Sequence, residues 1–291
     1  VTAVLPSSGP PLTADSRIGS RLADGAVEVG FETGRSGTAL AHLYQQTPLR
    51  ALFPRPEPGD LPLAVLANTG GGVVGGDRLA VTIEAGAGAT ALVAGQAAEK
   101  IYRSTGADSR IDTRLTVGPG GWLEWLPQET ILFDGARLRR SLTIEVAPGG
   151  RLLAGELLVF GRTARGERFT RGLLHEVWRV RRGGRLAWAE ALRLDGDPAA
   201  PLAAPAGFAG AVAVATVLYA GDDAGTVLDE ARTLLDACRG RAAATVVNGL
   251  LVARFLAADG AALRADVGRY RAGLRAMLAG LPRRLPRLWY V

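Results

Sequence analysis

Carboxylates are the residues of this sequence best suited to chemistry. Glu156 stands inside an apolar run, from Leu152-Leu153-Ala154 to Leu157-Leu158-Val159-Phe160. A carboxylate there is costly unless a partner accompanies it, and Arg162 and Arg165 are the nearest candidates. Such a group is either half of a buried ion pair or a functional acid. Gly166-Glu167 and Gln128-Glu129 are polar positions beside bends, placed to line a water-filled passage. Glu124 with Glu129 and Asp134, and Glu156 with Glu167, form pairs whose spacing is not diagnostic of acid–base catalysis. Oxygen ligands with water hold a divalent cation weakly and release it again, which suits the lining of a passage better than a store.

A second polar set, Gln96, Lys100, Tyr102 and Arg103, follows a glycine cluster, Asn68-Thr69-Gly70-Gly71-Gly72-Val73-Val74-Gly75-Gly76-Asp77. Gly70, Gly72 and Gly75 have the spacing of a dinucleotide loop. Such a loop must open a helix, whose N-terminus meets the pyrophosphate. Here Leu79, Val81 and Ile83 follow at every second position, which is strand periodicity. A phosphate loop of the other kind needs Lys and Ser or Thr after its last glycine, whereas Asp77 and Arg78 follow Gly76. The cluster reads as a tight turn between strands, with Gly70, Gly72, Gly75 and Gly76 placed for positive φ or close backbone approach. Asp77 then caps or braces it.

Other classes of site find little support. His42 and His175 are the two histidines, Cys238 the single cysteine and Met277 the single methionine. Without H-x-x-x-H or C-x-x-C spacing, no permanent zinc or nickel site of soft ligands is expected. No G-x-S-x-G is present and no histidine neighbours a nucleophile motif, so no catalytic residues are assigned and the chain is not expected to be an enzyme. The net charge is +6, carried by scattered arginines with Lys100 as the only lysine. No aromatic–basic motif of a nucleic-acid-binding sheet accompanies them. A lone cysteine allows no internal disulfide and suits a cytoplasmic protein. Residues 1–15, rich in proline and small polar residues, read as a flexible leader rather than a signal peptide. The longest apolar stretch, Phe208 to Ala220, is too short to span a bilayer and reads as a buried strand.

The elements that must position these groups are mainly strands. Val27, Val29 and Phe31 share one face, and Thr38 to Gln45 forms another strand before Pro48. Glycine turns recur at residues 86–88, 106, 118–121, 135, 149–150 and 183–184, separated by runs of strand character. This density of turns predicts layered antiparallel sheets. After Gly221 the pattern becomes helical: 226–238, with Leu228, Ala231, Leu234 and Leu235 on one face; 246–257, despite Gly249; and 261–278, with Leu263, Val267, Tyr270, Leu274 and Leu278. The tail, Pro282 to Val291, is extended, because its prolines forbid a helix. The organisation is therefore one large domain over 16–291: a strand-rich body (16–222), a helical region (223–280) and a tail (281–291).

Four motifs in order carry a resemblance. N-T-G-G-G-V-V-G-G-D (68–77), G-Q-A-A-E-K-I-Y-R (95–103), L-E-W-L-P-Q-E-T-I-L-F (123–133) and G-E-L-L-V-F-G-R-T-A-R-G-E-R-F (155–169) together resemble the UreD (UreH) family of urease accessory proteins. The likeness extends from about residue 20 to the C-terminus. It implies a mainly β body of stacked, helix-like strand layers with C-terminal helices. It implies a non-enzymatic role in urease maturation, with no tightly bound cofactor. Its implied partners are the urease apoprotein and UreF, with the GTPase UreG joined through UreF, in a dimer of such heteromeric complexes. Nickel would be in transit only, through a water-filled passage towards the urease active site. By matching motifs, the positions carried over for the passage or partner interface are Asp77, Gln96, Lys100, Tyr102, Arg103, Glu129, Glu156 and Glu167, with Gly75, Gly76 and Arg162 shaping the passage; Asp134, just beyond the third motif, is a further candidate. Many relatives have hydroxyl residues just before the glutamine, where this sequence has Ala94 and Gly95. The alternative is a nucleotide-binding enzyme built on Gly70–Asp77, which requires a helix after Gly76.

Overall fold

The structure is a computed structural model that describes residues 22–290; the expected leader lies outside them. The first strands are β1 (Asp24–Gly34), β2 (Gly37–Gln46), β3 (Leu49–Leu52), β4 (Leu63–Asn68), β5 (Arg78–Ala85), β6 (Thr90–Gly95), β7 (Glu99–Ile101) and β8 (Ser109–Val117). The middle of the chain adds β9 (Trp122–Leu126), β10 (Thr130–Leu132), β11 (Arg137–Val146), β12 (Arg151–Phe160), β13 (Gly172–Arg182) and β14 (Arg185–Gly196). A short helix α1 (Ala199–Ala203), β15 (Ala213–Ala220), α2 (Leu228–Thr233), β16 (Arg241–Val247), β17 (Leu250–Ala257) and α3 (Gly260–Ala279) complete it.

The strands form two sheets. One has the order β14-β13-β11-β8-β5-β1-β2. The other runs β16-β17-β15-β12-β9-β6-β4-β3, with β7 and β10 paired to each other beside β12. From β4 to β13, the short β7 and β10 apart, the chain alternates between the sheets, and within each sheet neighbouring strands are parallel. The layers therefore stack like the coils of a solenoid. The expected antiparallel pairing holds only towards the sheet edges, at β2, β3 and β14 to β17. Turn density marks where strands end, but it does not reveal whether the next strand returns to the same sheet or crosses to the other.

The two kinds of crossing differ in length. From the first sheet to the second the chain turns in four residues, at 86–89, 118–121 and 147–150. These turns stack, with Gly88 N–H donating to Pro119 O at 2.9 Å and Ala147 N–H to Val117 O at 2.9 Å. Gly118 shows why glycine recurs here: a Cβ would meet Ala87 N at 2.7 Å. The return crossings are long, at 69–77, 96–108, 127–136 and 161–171. Because the strands are parallel, all four emerge on one side of the solenoid.

Two cores result. Inward residues of the first sheet, such as Val29, Ile83, Leu115 and Ile144, meet Val93, Leu123, Leu152 and Phe160 of the second. The outer face of the second sheet is covered by α3 through Leu263, Val267, Tyr270, Leu274 and Leu278. Burial on both faces explains the unbroken apolar run of β12. Asp259 caps α3, accepting from Ala261 N–H at 3.3 Å and Ala262 N–H at 3.1 Å, and Gly280 ends it at φ 63°.

The helical region is corrected in two places. Residues 246–257 form no helix but part of the β16–β17 hairpin, turned by Asn248 and Gly249 at φ 48° and 76°. An Asn-Gly pair accepts positive φ at both central positions, which is the signature of a two-residue hairpin turn. The helix expected over 226–238 is confined to Leu228–Thr233. The tail also departs from a wholly extended form: a 3-10 turn spans Arg287–Tyr290 and buries Trp289 against α3. Among the described residues, no helix is long and apolar enough to cross a membrane.

Candidate functional site

The long crossings bring the four motifs together along one edge. In the first, a strand and not a helix follows Gly76, so the glycine turn has no helix N-terminus to offer a pyrophosphate. Asp77 is buried and braces this turn, accepting from Ala23 N–H at 2.8 Å and Val74 N–H at 2.9 Å. Gly72 has φ 148°, and a Cβ there would strike the Tyr102 ring and lie 2.8 Å from Lys100 O. The Tyr102 hydroxyl donates to Gly71 O at 3.1 Å, and its ring meets Phe133 edge-on. The Arg103 side chain packs over Gly135, and its backbone pairs with Ala136.

Asp134 and Glu167 hold the last crossing. Asp134 Oδ1 accepts from Thr170 N–H at 2.9 Å and Arg171 N–H at 3.1 Å. Glu167 Oε1 accepts from Asp134 N–H at 3.0 Å, and its other oxygen from Arg162 Nε at 2.9 Å. The bond from Arg162 holds the Glu167 carboxyl below its ordinary range. Arg162 lies over the Phe133 ring, 4.4 Å from its centroid. Glu129 turns towards α3, 3.7 Å from Arg264. These side chains shape the edge.

The interior is the chemically distinctive part. A cavity of about 230 Å³ starts between the first two crossings, at Asn68, Gly72, Gln96, Glu99 and Lys100. It runs between the sheets past Trp125, Gln128 and Thr130 to Arg140 and Glu156. A second cavity, of about 300 Å³, begins at Glu156 and Glu176 and continues to Trp188, Glu190, Phe208 and Arg254. Glu156 lines both. The two cavities are thus separated by one cluster of charged side chains.

That cluster is Arg140 of β11, Glu156 of β12 and Glu176 of β13, each 7% exposed or less. Arg140 Nη2 lies 2.7 Å from Glu156 Oε2 and 3.0 Å from Glu176 Oε1. Arg140 Nη1 donates to Thr130 Oγ1 at 2.9 Å, and Trp178 Nε1 to Glu176 Oε1 at 2.8 Å. Glu156 therefore does find an arginine, but neither Arg162 nor Arg165. Burial raises Glu156 to about 7; the Arg140 charge opposes that rise and the Glu176 charge adds to it. Burial alone would lower Arg140, yet the two carboxylates keep it above its ordinary value. Glu99, at the outer end, is raised by burial and partly relieved by Asn68, whose Nδ2 donates to it at 3.2 Å.

A second buried network fastens α3. Arg275 Nε donates to Glu124 Oε1 at 3.1 Å and Arg275 Nη2 to Asp60 Oδ1 at 2.5 Å; Arg275 and Glu124 are fully buried. Burial raises the Glu124 carboxyl, with Arg275 and Arg271 opposing. Its position behind the second sheet, away from both cavities, makes it structural.

The family described as UreD urease accessory protein matches residues 23–290. The chain belongs to the UreD family. Among curated UreD proteins, the urease accessory protein UreD of Magnetococcus marinus is 44% identical over 275 residues, covering 93% of this chain and 95% of that protein. The UreD of Methylobacterium sp. strain 4-46 is 48% identical over 272 residues, covering 91% and 94%. UreD 3 of Bradyrhizobium sp. strain BTAi1 is 44% identical over 267 residues, covering 92% and 93%.

In this UreD chain the motif residues divide by position. Gln96, Lys100 and Glu156 face the first cavity, while Asp77, Tyr102, Arg103, Asp134, Arg162 and Glu167 hold its edge together and Glu129 ties that edge to α3. Sequence reasoning singled out Gln128 beside Glu129 but missed Glu99, Arg140 and Glu176. A usable signal existed for two of them. Arg140 shares parity with Leu138, Leu142 and Ile144, and Glu176 with Leu174, Trp178 and Val180. A charge on the apolar parity of a strand is an inward charge.

Proposed function

We propose that this chain is a non-enzymatic urease maturation factor that conducts nickel between its two sheets towards the urease apoprotein. The observation that carries this reading is the pair of interior cavities meeting at Glu156. Oxygen donors are spaced along that route: Glu99, Gln96 and Gln128 at one end, Glu156 and Glu176 in the middle, Glu190 at the other. Such donors suit a hard or borderline divalent ion held weakly and in motion. Family membership supplies the urease context. The partners proposed are UreF, UreG through UreF, and urease itself, in a dimer of heteromeric complexes within the cytoplasm. The nickel is cargo, with no resident cofactor.

The test is urease activity and bound nickel in cells that express the urease genes and the other accessory genes. Active, nickel-loaded urease is expected with the wild-type chain and not without it. Glu156→Gln is expected to cut activation at least tenfold while the chain still copurifies with its partners. Full activation by Glu156→Gln would refute conduction past this residue.

A further inference from the structure

The junction between the two cavities has the composition of a cation site already filled by a side chain. Its two carboxylates come from different sheets and converge on one guanidinium nitrogen, Arg140 Nη2. With both carboxylates ionised, one positive charge faces two negative ones and the triad carries a net charge of −1 in a buried setting. Glu176 Oε2 and Arg140 Nε are among the buried side-chain atoms, of the described residues, that have no hydrogen-bond partner. Glu176 lines the second cavity and Arg140 the first. An unpaired buried polar group is costly, so these atoms remain open to a further partner.

Resting on the conduction reading above, we infer that Arg140 occupies the seat that a divalent cation takes between Glu156 and Glu176, as a tethered guanidinium plug. A first-row divalent ion takes carboxylate oxygens at about 2.0–2.2 Å, so each carboxylate would close on it by under about an ångström. The ion would neutralise both carboxylates, which the single guanidinium charge does not. Arg140 cannot leave by losing its proton; it must move. Its other nitrogen, Nη1, already bonds Thr130, which lines the first cavity. Withdrawal towards Thr130 opens the seat, and return of the guanidinium expels the ion. The plug thus makes occupancy brief and blocks the route when no ion is present.

The test uses the full chain with Arg140→Gln, the double variant Arg140→Gln/Glu176→Gln, and thermal melting with and without Ni2+. Freed of its plug, Arg140→Gln is expected to gain about 5 °C at Ni2+ a hundredfold above its dissociation constant. The wild type should shift far less, and the double variant should lose the gain. An Arg140→Gln shift no larger than that of the wild type overturns the inference. Where Arg140→Gln does not fold alone, Ni2+ present during refolding is expected to restore it; no rescue by Ni2+, Co2+ or Mn2+ overturns the inference equally. The two readings separate in the cellular assay. Nickel binding by Arg140→Gln with normal activation by Glu156→Gln keeps the seat and removes the route. No binding by Arg140→Gln with lost activation by Glu156→Gln does the reverse.

Discussion

Replacing Glu156 with glutamine should change how stability depends on pH, and the sign follows from its burial. In the unfolded chain the carboxyl ionises near 4.5; in the folded chain it is raised to about 7. Between these values the folded state binds the proton more tightly, so stability falls as pH rises through the window and is level beyond it. Each unit corresponds to about 1.36 kcal/mol, so this group alone removes about 3 kcal/mol between roughly pH 4.5 and 7. Glutamine stays neutral throughout and contributes no slope. It also leaves Arg140 paired with Glu176. The assay is urea denaturation of the wild type and Glu156→Gln at about pH 5 and about pH 8. The wild type should lose about 3 kcal/mol more than the variant on going from the lower pH to the higher. Glu124 and Glu99, also raised by burial, act equally in both chains and cancel in the comparison. Parallel profiles for the two chains would refute the claim that Glu156 ionises at a cost inside the sandwich.

Other perturbations reach different parts of the fold. Arg275→Ala leaves Glu124 and Asp60 without their buried partner, and should cost about 3–5 kcal/mol by urea denaturation; Arg275→Met with Glu124→Leu should recover part of that loss, because Asp60 stays unpaired. Asp259→Ala removes the cap of α3 and should cost about 1 kcal/mol, with helix unfolding as the readout. Gly72→Ala forces an unfavourable φ and a clash with Tyr102 and Lys100; a loss of about 1–3 kcal/mol is expected, and an unchanged melting temperature would show that this turn is not constrained. Glu167 has the opposite linkage to Glu156. Its depressed carboxyl stabilises the chain above its ordinary ionisation range, and that stabilisation is lost on acidification. Hydrogen exchange of residues 161–171 should therefore quicken, relative to the rest of the chain, as the carboxyl is protonated, and Glu167→Gln should remove that dependence.

Much of the local structure was legible from short-range pattern. Period-two alternation placed Val27, Val29 and Phe31 on one buried face, and helical spacing placed Leu263, Val267, Tyr270, Leu274 and Leu278 in the core. The glycine cluster was readable as a turn because a strand pattern, and no helix, followed it. The error at 246–257 came from giving apolar content more weight than the Asn248-Gly249 pair, a local signal with a definite backbone meaning. The antiparallel expectation failed for a different reason. Strand direction depends on which sheet the next strand joins, and that is decided by packing between layers.

The site divides along the same line. By itself the sequence determined the motif residues, the cost of Glu156 in an apolar run, and the inward parity of Arg140 and Glu176, because each depends on neighbours within one strand or one turn. The tertiary structure alone decided that Arg140, Glu156 and Glu176 meet. They come from strands of two facing sheets, 16 and 20 residues apart along the chain. Their level is set by the register of β11 against β13 and by how far the long crossings carry the chain between the sheets. Electrostatic interaction falls with distance and strengthens with burial. Once stacking has made them neighbours in the buried interior, three charges carried on separate strands become a single cation-shaped unit.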